Sequence, residues 1–98
     1  MENKTSLSHR SMEPENGVLY LVGTPIGNLM DVSSRTINIL KNVSLIACED
    51  TRQTKKIMNS YFIKNKLISF NKVNSLNKIP KIISLLKENK TVALVSDA

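Results

Sequence analysis

Five consecutive apolar residues, Val18-Leu19-Tyr20-Leu21-Val22, run directly into Gly23-Thr24-Pro25-Ile26-Gly27-Asn28-Leu29. A short continuous apolar run followed by turn residues predicts a strand buried on both faces, as in a parallel sheet. Gly23 and Gly27 lack a side chain and would let a ligand approach the backbone. Pro25 fixes φ and removes a donor, so the loop is expected to be stiff. Ligands of open α/β sheets bind just past the carboxyl ends of strands, which is where this loop falls. An ordinary strand-to-helix connection would carry the same residues, and the loop alone does not separate the two.

The rest of the chain repeats the alternation. Ser33 is the expected N-cap of a helix whose apolar side is Ile37, Ile39 and Leu40, and which ends near Lys41-Asn42. Val43 and Leu45-Ile46-Ala47-Cys48 predict a second strand. Glu49-Asp50-Thr51-Arg52 follows at its carboxyl end, with Asp50 or Thr51 starting a short basic helix over Gln53 to Asn59. Ile57 and Met58 are expected to face the core. Leu67-Ile68-Ser69-Phe70 predicts a third strand, and Asn71 to Asn77 a polar loop. Ile79, Ile82, Ile83 and Leu86 then have helical spacing, with Pro80 expected in the first turn. Thr91-Val92-Ala93-Leu94-Val95 predicts a fourth strand, running into Ser96-Asp97-Ala98 and leaving an uncovered, aggregation-prone edge. Strand and helix alternating with short links give an α/β fold, a parallel sheet with flanking helices.

Ninety-eight residues allow one small domain, which would bury about 60% of its unfolded surface. Residues 1–16 are polar and aperiodic, and a disordered leader is expected ahead of a domain over residues 17–98. No apolar run approaches the roughly 20 residues of a membrane-spanning helix, and the N-terminus has no signal-peptide core. These features predict a cytoplasmic protein. Cys48 is the one cysteine, so neither an intrachain disulfide nor a cysteine-based metal cluster can form. It ends an apolar run and is expected to pack rather than react. His9, the one histidine, lies in the leader, which removes a histidine-dependent triad.

Formal charge is +6, and its distribution is uneven. From Lys55 to Lys90 nine lysines face a single acid, Glu88. Such a balance favours a polyanion such as nucleic acid, although solvated lysines are common. Gly23 to Gly27 has neither the GxGxxG of a dinucleotide site nor the Gly-Lys-Ser/Thr of a P-loop. No cluster has metal-ligand spacing. What remains is a pair of strand-end segments, Thr24–Leu29 and Ser96–Ala98, beside an acidic strand end at Glu49-Asp50.

Three segments together resemble a known family: Leu19 to Leu29 (LYLVGTPIGNL), Ile46 to Arg52 (IACEDTR) and Val92 to Ala98 (VALVSDA). They are similar to the ribosomal RNA small subunit methyltransferase I group of the tetrapyrrole methylase superfamily. Asp31, Arg35, Thr54 and Ser69 also fall where that pattern expects them. The resemblance implies methyl transfer from S-adenosylmethionine to the ribose 2′-hydroxyl of a cytidine in small-subunit (16S) rRNA. It also implies a two-domain protein with the cofactor in the interdomain cleft, usually a homodimer. Carried over, Thr24, Pro25, Ile26, Gly27, Asn28, Ser96, Asp97 and Ala98 would line the cofactor side. Asp50 or Glu49 would be the base that activates the hydroxyl. Thr51, Arg52 and Lys55 would contact RNA, with an ion pair from Arg52 to Glu49 or Asp50 as the structural alternative. The family continues past Ser-Asp-Ala into a second domain. The expectation is therefore an N-terminal part lacking the C-terminal domain and inactive alone. A small-molecule tetrapyrrole methylase and a non-catalytic basic RNA-binding remnant are the competing readings.

Overall fold

The computed structural model describes residues 13–24 and 31–97, the last through its backbone. Four strands and three helices alternate: β1 (Leu19–Thr24), α1 (Ser34–Asn42), β2 (Leu45–Cys48), α2 (Thr51–Ser60), β3 (Leu67–Ser69), α3 (Ser75–Lys87) and β4 (Val92–Asp97). The strands form one parallel sheet in the order β1-β4-β2-β3. This is the α/β architecture expected from the alternation of apolar runs.

The strand order decides which face each helix covers. From β1 to β2 to β3 the chain moves one way along the sheet, and from β3 to β4 it moves back. Right-handed crossovers then place α1 and α2 on one face and α3 on the other. Side-chain packing agrees, because alternate strand residues point to opposite faces. Tyr20, Val22, Ile46, Cys48, Ala93 and Val95 pack with Ile39, Leu40 and Met58 of the first two helices. Leu45, Ala47 and Val92 pack with Ile82 of α3, flanked by Phe70, Leu86 and Leu94. Burial of Leu40, Ile46, Ile57 and Val92 contributes about 1.5–3 kcal/mol each.

Local signals set the boundaries. Ser33 caps α1, its hydroxyl accepting from the Thr36 N–H. Asn65 closes the other end of α1, its amide donating to the carbonyls of Leu40 and Val43 at 2.9 and 2.8 Å. Ser44 and Thr91 exchange side-chain and backbone hydrogen bonds, pinning the start of β2 to the start of β4.

Several expectations are corrected. β1 is not buried on both faces. Tyr20, Val22 and Thr24 are buried while Leu19, Leu21 and Gly23 are exposed, because β1 is an edge strand and α3 lies over β4 and β2. β4 is not an edge but the second strand in, between β1 and β2, and the sheet's edges are β1 and β3. The loop expected over residues 71–77 is shorter, with α3 already under way at Ser75. Pro80 consequently lies inside α3 instead of in its first turn, and Ile79 and Ile83 stay partly exposed.

Of the expected leader, residues 1–12 lie outside the described residues. Residues 13–16 are anchored to the domain. The Glu13 carboxylate grips the Arg35 guanidinium with two 2.8 Å contacts, and its carbonyl accepts from the Asn38 amide. The Glu15 N–H donates to the Tyr20 hydroxyl. No helix among the described residues is long and apolar enough to cross a membrane.

Candidate active site

A parallel sheet puts all its carboxyl ends on one side, and the register states which tips are neighbours. Thr24 stands opposite Asp97, Cys48 opposite Val95, and Cys48 opposite Ser69. The end of β1, the end of β4 and the Glu49-Asp50 corner after β2 therefore share one rim. Thr24 is buried, and its hydroxyl donates to the Ser96 carbonyl in a long 3.5 Å contact. Among the described residues, nothing lies within 4 Å of where a Cβ on Gly23 would stand. Pro25, Ile26, Gly27, Asn28 and Ala98 lie outside the described residues, and Asp97 is placed by its backbone alone.

The two acids at the corner differ in what they do. Asp50 is the N-cap of α2: one carboxylate oxygen accepts from the N–H of Arg52 at 3.0 Å and of Gln53 at 3.3 Å. That satisfies donors a helix end otherwise leaves unpaired. Glu49 is exposed and lines a cleft of about 270 Å³ at the tips of β2, β3 and β4. Phe70, Leu94 and Val95 form the cleft's apolar wall, and Asn71, Lys72, Ser75 and Ser96 its polar one. Thr51, Arg52 and Lys55 sit on the first turns of α2 and do not line it. Among the described residues the ion pair is Arg35 with Glu13, and Arg52 has none with Glu49 or Asp50.

Sequence reasoning missed the wall supplied by the β3–α3 turn. Asn71 Oδ1 accepts from the N–H groups of Val73 and Asn74, and the Asn71 N–H donates to Asn74 Oδ1. The Asn74 amide in turn donates to the Ser69 hydroxyl at 2.8 Å. The turn is locked onto the tip of β3, which the Phe70 N–H ties to the Cys48 carbonyl at 2.7 Å. Two asparagines three apart before a helical pattern are the signal that could have located it. Cys48 is buried in the core, as its apolar run implied.

Residues 18–97 match the family described as Tetrapyrrole (Corrin/Porphyrin) Methylases. The chain belongs to this family. Its relatives include a protein of Thermotoga maritima, 54% identical over 82 residues, covering 84% of this chain and 37% of that protein. One from Bacillus subtilis is also 54% identical over 82 residues, covering 84% and 28%. One from Halalkalibacterium halodurans is 48% identical over 95 residues, covering 97% and 32%. All three are named ribosomal RNA small subunit methyltransferase I. The chain thus spans about a third of the length of the curated relatives it matches.

Proposed function

We propose that this chain is the N-terminal, incomplete part of an S-adenosylmethionine-dependent methyltransferase. Its target would be a cytidine ribose 2′-hydroxyl in small-subunit rRNA, with residues 17–98 as the first α/β domain. The observation that carries the reading is the shared rim, where the ends of β1 and β4 adjoin the acidic corner after β2. The names of the relatives favour RNA over a tetrapyrrole as the substrate. The nine lysines between Lys55 and Lys90 suit a polyanion.

The residues fit the cofactor in kind. An apolar wall of Phe70, Leu94 and Val95 beside the hydroxyls of Ser75 and Ser96 would suit a ligand that joins an aromatic base to a sugar. When bound, S-adenosylmethionine supplies an electrophilic methyl group. Thr24, Pro25, Ile26, Gly27 and Asn28, with Ser96, Asp97 and Ala98, would line its side of the site, and the absence of a side chain at Gly23 would permit backbone approach. Glu49 is the better candidate than Asp50 for the base, because the Asp50 carboxylate is committed to capping α2. A carboxylate at Glu49 accepts the hydroxyl proton as the oxygen becomes nucleophilic. Arg52, Thr51 and Lys55 contact the RNA backbone.

A cleft of about 270 Å³ falls below the roughly 300–1,000 Å³ of pockets that enclose such ligands. The chain alone is accordingly proposed to be inactive, with the second domain completing the site in a cytoplasmic homodimer. The test is a chimera in which this chain replaces the matching segment of the Thermotoga maritima relative. It is produced in cells whose own small-subunit methyltransferase is deleted, and ribose methylation is read by mass spectrometry of the rRNA. The chimera is expected to restore the methylated cytidine, and the 98-residue chain alone is not. A folded chimera that leaves the rRNA unmethylated but methylates a porphyrinoid would overturn the RNA reading in favour of a tetrapyrrole substrate.

A further inference from the structure

Among the described residues, the cleft at the strand tips holds one anion and one cation on walls supplied by different elements. Glu49 comes from the end of β2, and Lys72 from the asparagine-locked turn after β3. Both are exposed, and no ion pair joins them among the described residues. Among the described residues Lys72 is the one cation lining this cleft, whereas Arg52 and Lys55 lie outside it on α2. Its position is built: Asn71 and Asn74 bond to each other on either side of it, and Asn74 is tied to Ser69.

A ribose in RNA carries its 2′-hydroxyl next to its 3′-phosphate, so a neutral proton donor and an anion lie side by side. A free nucleobase has no such pair. We propose that Lys72 binds the phosphate adjoining the target ribose, while Glu49 faces the hydroxyl. The cleft thereby selects a ribose–phosphate unit rather than a base edge. This rests on the reading of the chain as part of an RNA methyltransferase. It adds to it a positioning residue that neither the sequence motifs nor the first turns of α2 supply. A lysine is a compact point charge with three rotatable donors, suited to a phosphate that approaches from solvent.

The test uses the 98-residue chain and a fluorescein-labelled ten-nucleotide oligocytidylate, with binding read by anisotropy across a salt series. Lys72→Ala is expected to weaken binding and lower the slope of log K against log salt by about 0.7, the share of one phosphate contact in single-stranded RNA. Lys87→Ala, at the far end of α3, is expected to change the slope by less than half of that. Because Lys72 is exposed, its replacement is expected to move Tm by less than about 2 °C. Glu49→Gln should lose the preference for oligocytidylate over its 2′-deoxy counterpart while keeping the slope. The proposal is overturned if the wild-type chain does not bind the RNA. It is equally overturned if Lys72→Ala and Lys87→Ala alter the slope alike, or if Lys72→Ala weakens S-adenosylmethionine binding and leaves RNA binding unchanged. Should the chimera methylate rRNA while Lys72→Ala keeps its slope, this inference alone fails. A chimera that never methylates rRNA sinks the parent reading, whatever Lys72 does.

Discussion

Asp50 and Glu49 are adjacent carboxylates with separable duties, and the difference is measurable. Removing the cap with Asp50→Ala is expected to cost about 1 kcal/mol. For a domain of this size that lowers Tm by roughly 4–8 °C in a circular dichroism melt. Asp50→Asn keeps an oxygen that accepts the same backbone N–H groups and should lose much less. Glu49→Gln should leave the melt unchanged, since Glu49 is exposed and caps nothing. Equal losses for Asp50→Ala and Glu49→Gln would show that this division of labour is wrong. Arg35 gives a second residue-scale case. Hydrogen bonding and charge from Glu13 raise its guanidinium further above its ordinary value. A raised pKa gives stability that is complete below the ordinary value and lost only as pH climbs through the raised one. Arg35→Gln should therefore lower Tm by the same small amount at every pH from 6 to 9. The pair is solvent-facing on the Arg35 side, which limits its worth to about 0–1 kcal/mol and makes it salt-sensitive.

At the scale of elements, α3 carries an internal defect. Pro80 offers no N–H to the carbonyl of Leu76, in a helix whose buried anchor is Ile82. Because Pro80 is exposed, Pro80→Ala should stabilise the chain by about 1–3 kcal/mol, seen as a higher urea midpoint. A lower midpoint would mean that the ring fixes the entry of α3. This helix also marks where sequence reading ran out. The 3.6-residue pattern from Ile79 located the helix, but its start depends on Asn71 and Asn74, whose side-chain bonds to the backbone have no apolar periodicity. By contrast the cap at Ser33 was legible, and the start of α2 was narrowed to Asp50 or Thr51, because a single side chain at a fixed offset decides such caps. The strands were legible too, though whether both faces are buried was not. Val18 to Val22 is equally apolar throughout, and only the strand order reveals that Leu21 is left 77% exposed. Likewise the acidic corner stood out in sequence, while Phe70 and Lys72 joined the cleft through tertiary placement alone.

For the whole molecule, the two sheet edges are unequal. β3 has three residues and lies between Lys66 and Lys72, which discourages pairing. β1 has six residues without a charge, and Leu19 and Leu21 stand on the same side as the partly exposed Ile79 and Ile83. Leu21→Lys is expected to reduce concentration-dependent light scattering of the 98-residue chain severalfold with little change in Tm. Unaltered scattering would place the sticky surface elsewhere.

The position of β4 has a consequence for how such a chain emerges from the ribosome. β1 and β2 do not touch as neighbours; each pairs with β4, whose residues are joined to β1 across more than seventy intervening positions (Leu19 with Val92). During translation β2 and β3 can pair with each other as soon as both are made, but β1 has no neighbour in the sheet until β4 follows. Slow closure of this kind leaves the apolar side of β1 exposed to chaperones and proteases until β4 has emerged.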